Sequence, residues 1–440
     1  MSEAALIYNL FPLLIGSIPR WEEHLDRIAA MRFNWVFLNP IQAVGLSGSL
    51  YAVKDYFSIN PLFHPETGQD PEKALAHFLK EAQKRGLKVM LDLVINHTAI
   101  DSPLVDEHPE WYAKDEEGKI KHPGAIDPAD ATKVTVWGDL AELAYWPVPD
   151  PEGLLSFWKE VTAKFLRLGF KGFRADAAYK IPGWFWRRLI EEAGKTDPEV
   201  QFFAETLGCR LEELAQLSEA GFDYICNSSK WWDFQEPWCL DQYNRFRRIA
   251  PSISFPETHD TDRLAAESGG DPAVARQRYL FAAFFSTGLM IPVGFEFGFK
   301  KRLHVVKTRP EDWETPTYDL VDFITRVNRM KLGCPVLVEE GPIARLSPKG
   351  KPVVLLLKSR DKEKGRVLAV INASGKARQA NLSKMTDYLG EPRTAWEDIT
   401  PEGKPVKPQE LQSLTLPPFA IKMLYNPAAD PVPVKQARKK

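Results

Sequence analysis

Over roughly the first 330 residues, short apolar runs alternate with longer stretches whose apolar positions recur at helical spacing. Eight such runs read as strands: ALIYNL from Ala5, FNWVFL from Phe33, LKVMLDLV from Leu87 and KGFRAD from Lys171, then VQFFAE from Val200, GFDYIC from Gly221, SISFPE from Ser252 and LMIPVG from Leu289. Between them lie helical stretches such as DPEKALAHFLKEAQKRG and GLLSFWKEVTAKFLRLG, ending on Gly86 and Gly169, where glycine is the usual stop. Buried strands regularly followed by helices predict a parallel sheet wrapped by helices. Eight units fit an α/β fold, a (β/α)8 TIM barrel over residues 1–336. An open doubly wound sheet is the competitor, but no GxGxxG follows the first strand.

Two segments break the rhythm. Residues 97–150 are polar and rich in Pro, Gly, Asp and Glu, too long for an ordinary loop, and predict a small subdomain inserted after strand three. From residue 337 to 428 the runs become apolar or alternating and are bounded by turn residues, which predicts a C-terminal antiparallel β-sandwich. Residues 429–440 read as a flexible tail.

Composition narrows the function. The 57 Lys and Arg against 59 Asp and Glu leave a formal charge of -2, giving no electrostatic case for nucleic acid or an acidic membrane surface. No signal peptide or membrane-length apolar run is visible, and the 4 cysteines lack metal-ligand spacing, so a cytoplasmic chain with free thiols is expected. Oligomeric state is not legible.

In a barrel of this kind chemistry sits at the C-terminal strand ends. There the chain places Asp92, Asn96 and His97 after strand three, Arg174 and Asp176 after strand four, Glu205 after strand five, and His259 and Asp260 after strand seven. Any single acid has an ordinary explanation as a cap or loop residue, and Asp92, in mid-run, is most simply a salt-bridge partner within the barrel. Four carboxylate-bearing strand ends at one mouth are harder to assign to structure alone. Such a cluster permits glycosidic cleavage by two carboxylates or metal-assisted hydrolysis. Metal-binding barrels of the second kind usually carry HxH on the first strand; IYNLF has no histidine. A barrel that binds sugar without turnover is a further alternative, but no carboxylate of the set is missing. Arg174, two residues before Asp176 and on the same face, would keep Asp176 ionised as a nucleophile. Glu205, desolvated near other acids, would stay protonated as general acid, and Asp260 would stabilise a cationic transition state.

LDLVINH, GFRADAAYK, FFAET and FPETHD resemble, in order, the four motifs of the alpha-amylase family of glycoside hydrolases. The resemblance implies Asp176 as nucleophile, Glu205 as acid/base and Asp260 as stabiliser in a retaining reaction on α-linked glucans, by hydrolysis or transglycosylation. It places Arg174, His97 and His259 around the reacting sugar, with Asp92 and Asn96 beside them, and Tyr51 of SLYAVKDYFSINP stacking on that sugar with support from Asp55. Asn96 also matches a calcium ligand of many secreted amylases, but its companion ligands are not traceable here, so no cofactor is expected. The insertion EHPEWYAKDEEGKI is similar to that of bacterial maltosyltransferases that use maltose 1-phosphate. Those proteins carry a large N-terminal domain, whereas here the first strand starts near Met1. Where they have Asn after the nucleophile this chain has Ala177, and where they place a phosphate-side Lys and Tyr before the position of Asp139 it has Val136 and Trp137. Their fourth motif lacks the histidine that stands here as His259. A phosphorylated donor is therefore the alternative expectation, not the first. Trp111, Trp137, Trp146, Trp184 and Trp231 fall in the loops around the mouth as candidate stacking platforms or anchors.

Overall fold

Eight parallel strands close into a barrel in a computed structural model that describes residues 3–127, 130–382, 395–403, 405–407, 410 and 412–431. They are β1 (Leu6–Asn9), β2 (Trp35–Leu38), β3 (Lys88–Leu93), β4 (Gly172–Ala175), β5 (Gln201–Ala204), β6 (Tyr224–Cys226), β7 (Ser252–Ser254) and β8 (Gly288–Pro292). Each pairs with its neighbours in sequence, and β8 closes on β1 with Leu6 opposite Leu289. Seven of the eight expected runs contain one of these strands, and the eighth, LMIPVG, covers all of β8 but its first residue, Gly288.

Strand alternation sorts the side chains. Ile7, Trp35, Phe37, Met90, Phe203, Tyr224, Ile253 and Met290 form one buried cluster inside the barrel, while Leu6, Tyr8, Val36 and Leu91 join the layer beneath the helices. On β3 the position two after Met90 is Asp92, and on β4 the positions two and four after Gly172 are Arg174 and Asp176. The inward face thus turns from apolar to charged as it nears the mouth. Gly172 makes room for this interior: a Cβ there would lie 2.7 Å from the Gln201 carbonyl and 3.0 Å from the Trp35 ring. Gly172→Ala is expected to destabilise the fold by about 2 kcal/mol, as overpacking does; urea unfolding measures it, and an unchanged midpoint would contradict the close approach.

Helices α1 (Pro71–Lys84), α2 (Pro151–Leu168) and α3 (Pro272–Phe285) all begin with proline after an aspartate cap, as N-terminal helix chemistry requires. Asp150 does double duty, capping α2 through Gly153 N (3.0 Å) and accepting from Trp111 Nε1 (3.1 Å), which ties the insertion to the barrel. The insertion pairs His97–Ala99 with Leu140–Glu142 and Gly124–Asp127 with Asp130–Val136, both antiparallel. Among the described residues no helix is long and apolar enough to cross a membrane.

After α4 (Val321–Gly333) come β9 (Ile343–Arg345), β10 (Val353–Ser359), β11 (Arg366–Asn372), β12 (Arg378–Asn381), β13 (Glu397–Asp398), β14 (Ser413–Leu416) and β15 (Ile421–Asn426). A five-stranded antiparallel sheet, β9-β10-β11-β15-β13, faces the pair β12-β14. Val354, Leu356, Val367, Ala369 and Met423 pack with the barrel core; Leu355, Leu357, Leu368, Val370 and Leu424 pack with Ala380, Leu414 and Leu416 of the pair. Both faces of the large sheet are therefore buried, which explains its runs of consecutive apolar residues. Residues 432–440, read above as tail, lie outside the described residues.

Candidate functional site

At the mouth, Arg174 is the organising cation. Its Nη1 donates to both oxygens of Asp92 (2.9 and 2.9 Å) and to Asp176 Oδ1 (2.8 Å), and its Nη2 lies 3.9 Å from Asp260 Oδ2. Burial alone would lower its pKa; Asp92, Tyr51 and Asp176 together hold it well above the ordinary value. Asn96 Nδ2 donates to Asp176 Oδ2 (3.1 Å) and to the Asp176 carbonyl (3.0 Å), so both carboxylate oxygens of Asp176 are fixed by donors.

Glu205 approaches from the next strand. Its Oε2 accepts from the N–H of Ala177, the residue after Asp176, at 2.9 Å, and its Oε1 accepts from Leu207 N. Burial pushes its pKa up and Arg174 pulls it down; with the repulsion of Asp176 and Asp260 added, it rests at about 7. Ala177 holds its N–H there in a left-handed conformation (φ 42°, ψ 48°), unusual for a residue with a Cβ. Asp260 is half exposed at the opposite rim. Against the lift from burial, His259 Nε2 at 3.0 Å and the Arg174 guanidinium draw it down to about 2. The three acids thus differ in setting: Asp260 is held ionised, Asp176 is fixed against a guanidinium, and Glu205 has its pKa pushed up to about 7. Arg174, Glu205, His259 and Asp260 line one small hollow of about 20 Å³ at the barrel centre.

Tyr51 links the two sides. Its hydroxyl donates to Asp92 Oδ2 (2.7 Å), accepts from Asn39 Nδ2 (3.0 Å), and lies 2.7 Å from His259 Nε2. With the one phenolic proton spent on Asp92, His259 must present Nε2–H, which fixes its tautomer. The Tyr51 and His259 rings are parallel, with centroids 6.0 Å apart.

Several expectations need correction. Asp55 does not support Tyr51: within the strand Val53–Ile59 it accepts from Phe57 N (2.8 Å) and the Ser58 hydroxyl, and the support comes from Asn39, Asp92 and His259. Asp92 has no exposed surface, and its oxygens are engaged by Arg174 and Tyr51. His97 is similarly occupied, its ring nitrogens meeting Asn96 Oδ1 and the Tyr51 carbonyl. Asn96 spends its amide on Asp176 and its carbonyl oxygen on His97, and among the described residues no group of three His, Cys, Asp or Glu side chains is placed to hold a metal ion. Trp111 is buried against His108, an anchor rather than a platform; Trp137, Trp146, Trp184 and Trp231 are exposed. Glu296, after β8, pairs with Arg27 and Tyr8 away from the acids, a structural ion pair.

The sequence reading missed the supports. Asn9 Nδ2 donates to Asn39 Oδ1 (2.8 Å), a buried amide pair at the ends of β1 and β2. Arg263, buried, joins Glu257 (2.8 Å) to the Val293 carbonyl (2.9 Å), and Arg302 returns across the same gap to the Asp260 carbonyl (2.7 Å), so the loops after β7 and β8 are cross-tied behind Asp260.

The chain is similar to several known proteins. A sequence profile described as glycogen debranching enzyme, glucanotransferase domain, matches residues 2–117. The chain is 28% identical over 366 residues to the alpha-1,4-glucan:maltose-1-phosphate maltosyltransferase of Burkholderia pseudomallei, covering 81% of this chain and 31% of that one. Against maltosyltransferase 1 of Streptomyces coelicolor it is 27% identical over 420 residues, covering 88% and 59%. The chain therefore spans well under two thirds of either relative. Among solved structures it superposes on an alpha-amylase from Lactobacillus plantarum (TM-score 0.73, 21% identity, 96% and 98% of the chains covered) and on the acarbose complex of the Geobacillus thermoleovorans alpha-amylase (0.75, 17%, 97% and 99%).

Proposed function

We propose that the chain is a member of the alpha-amylase family, with maltosyltransferase-like relatives, and that it is a retaining enzyme acting on α-linked glucans. In this reading Asp176 attacks the anomeric carbon, Glu205 protonates the departing glycosidic oxygen, and the resulting glycosyl ester is released to water or to a sugar hydroxyl with Glu205 now taking the proton. Asp260 and the Asp176 carboxylate stabilise the positive charge that develops at the ring. The single observation that carries the reading is the arrangement of the three acids around Arg174: Asp176 hydrogen-bonded to its guanidinium, Asp260 drawn down to about 2, and Glu205 pushed up to about 7.

A second reading, transfer from maltose 1-phosphate, is favoured by the names of the relatives. Ala177, Val136 and Trp137 stand where that chemistry places phosphate-side polar residues, and they offer an anion no side-chain donor but the indole N–H. Incubation with maltooligosaccharides, with and without phosphate, separates the two. New chain lengths or shorter products with α configuration, independent of phosphate, are expected. Phosphate-dependent maltose 1-phosphate would establish the second reading, and β-configured products would overturn the first.

A further inference from the structure

Behind Tyr51, at the ends of β1 and β2, two side-chain amides lie out of reach of any substrate: Asn39 has no exposed surface and Asn9 has 1%. Asn9 Nδ2 donates to the backbone carbonyl of Phe37 (3.1 Å), and a carbonyl only accepts, so the nitrogen end of this amide is fixed there. Its second proton meets the Asn39 amide at 2.8 Å, so the atom that Asn39 presents to it is the oxygen. Asn39 is thereby turned with Nδ2 toward Tyr51, and donates to the phenol oxygen at 3.0 Å. Among the described residues nothing donates to Asn9 Oδ1, so this buried amide serves through its protons alone.

The rest of the hydrogen-bond chain takes its direction from these two amides. Burial and then the Asp92 carboxylate hold the Tyr51 phenol well above its usual range, so the hydroxyl keeps its proton. With Asn39 donating to the oxygen, that proton goes to Asp92 Oδ2 at 2.7 Å. The second lone pair is left for Nε2–H of His259, also at 2.7 Å. The same Nε2 lies 3.0 Å from Asp260 Oδ2, and Nδ1 has no partner among the described residues, so Nε2 alone aligns this ring with the acids. Asp92 feels the other end. Burial lifts its pKa to about 6 against the pull of Arg174, and the Tyr51 hydrogen bond is one of the interactions holding it down. Without that bond Asp92 would take up a proton of its own near neutral pH, and Arg174, which it shares with Asp176, would lose part of its counter-charge.

We propose that Asn39, oriented by Asn9, is a positioning residue that sets the donor–acceptor direction of this chain and so keeps Asp92 and Asp260 ionised around Arg174; the proposal rests on the function proposed above. What matters at position 39 is a donor aimed at Tyr51. Asn39→Asp has the same shape and places there a group that pH can switch. The new carboxyl faces Asn9 and Tyr51, and beyond the phenol the charged or titratable groups Asp92, Arg174, His259, Asp260 and Asp176. Buried beside Asp92, it has a pKa above the ordinary carboxylate value. Protonated, its O–H donates to Tyr51 as the amide does; ionised, it competes with Asp92 for the phenol proton.

The test compares the full chain with Asn39→Leu, Asn39→Asp and Tyr51→Phe by turnover of maltoheptaose, from about pH 5 to about pH 8, at a temperature where circular dichroism shows every variant folded. Asn39→Leu leaves the phenol proton free to turn to Asp92 or to His259. It is expected to lower kcat about tenfold, the worth of one hydrogen bond, with KM within about twofold. Asn39→Asp is expected to match the parent at the acid end and to fall behind it as pH rises through the pKa of the new carboxyl. In a Tyr51→Phe background Asn39→Leu should change kcat no further, because the group it acts through is gone. The proposal is overturned by an unchanged kcat in Asn39→Leu, by a deficit of Asn39→Asp that does not vary with pH, or by effects of Asn39→Leu and Tyr51→Phe that simply multiply. Should the parent turn over no glucan, the functional reading fails by itself, and the tautomer of His259 still decides the direction of the chain. NMR of protein with nitrogen-labelled histidine, the ring assigned by its loss in His259→Gln, is expected to show Nε2–H in the parent and a share of Nδ1–H in Asn39→Leu. Nδ1–H in the parent, or the same tautomer in both, overturns the proposal.

Discussion

Glu205→Ala is expected to lose activity on natural glucans by roughly 10²–10⁴-fold, the usual contribution of a positioned acid, while keeping most of its rate of glycosyl-enzyme formation from α-maltosyl fluoride. The contrast follows from what the carboxyl does. A glycosidic oxygen needs a proton as it leaves; fluoride leaves without one. Asp176→Asn should be silent on both donors, because without a carboxylate no ester forms. The pH profile supplies an independent check. Glu205 must be protonated to act and has a pKa of about 7, so kcat/KM on natural glucans should fall about tenfold per pH unit above neutrality. With the fluoride donor, that limb should vanish from the glycosylation step. Asp260, drawn down to about 2, stays ionised throughout and should leave no mark at neutral pH. An alkaline limb that persists unchanged in Glu205→Ala would move the acid role to another residue.

How much of this was legible depended on whether one dimension sufficed. The barrel strands were, because each is buried on both faces and its residues must be apolar wherever they point, as in the fully buried runs LIYN and WVFL. The acids were legible for the opposite reason: Asp176 and Glu205 interrupt such runs at the end where barrels place chemistry. Asn9 and Asn39 interrupt runs at the same end, in LIYN and FLN, and asking of amides what was asked of acids would have found them. The loops are harder. Nothing in FPETHD tells that Glu257 meets Arg263 or that Arg302 returns to Asp260, since those contacts depend on how two loops lean together. Asp55 was misplaced for a related reason: an Asp with Phe and Ser two and three residues on bonds to its own segment as readily as it reaches a neighbour.

The second large effect lies far from the mouth. Lys331→Met is expected to destabilise the protein by about 3–5 kcal/mol, the cost of breaking a buried polar cluster by removing one partner. Lys331 sits in α4 with no exposed surface, its Nζ donating to the carbonyls of Ala283 (2.9 Å), Ser286 (2.6 Å) and Leu337 (2.6 Å). Burial presses its pKa well below the lysine range. Three carbonyls at hydrogen-bond distance nevertheless need three N–H donors, and only the ammonium has them. Two of those carbonyls lie at the C-terminal end of α3, where the helix dipole also favours a cation. Lys358 of β10 reaches the same helix end, donating to Phe284 (3.3 Å) and Phe285 (3.1 Å), so one buried terminus is satisfied from both the barrel and the C-terminal sheet. Methionine fills the length of the side chain but leaves the carbonyls of Ala283, Ser286 and Leu337 without these donors. A fall in Tm of about 3–5 °C follows by calorimetry, with kcat at low temperature unchanged because no residue of the mouth touches the cluster. A Tm that does not move would mean that water replaces the ammonium at no cost, and that the two lysines do not hold the C-terminal sheet to the barrel.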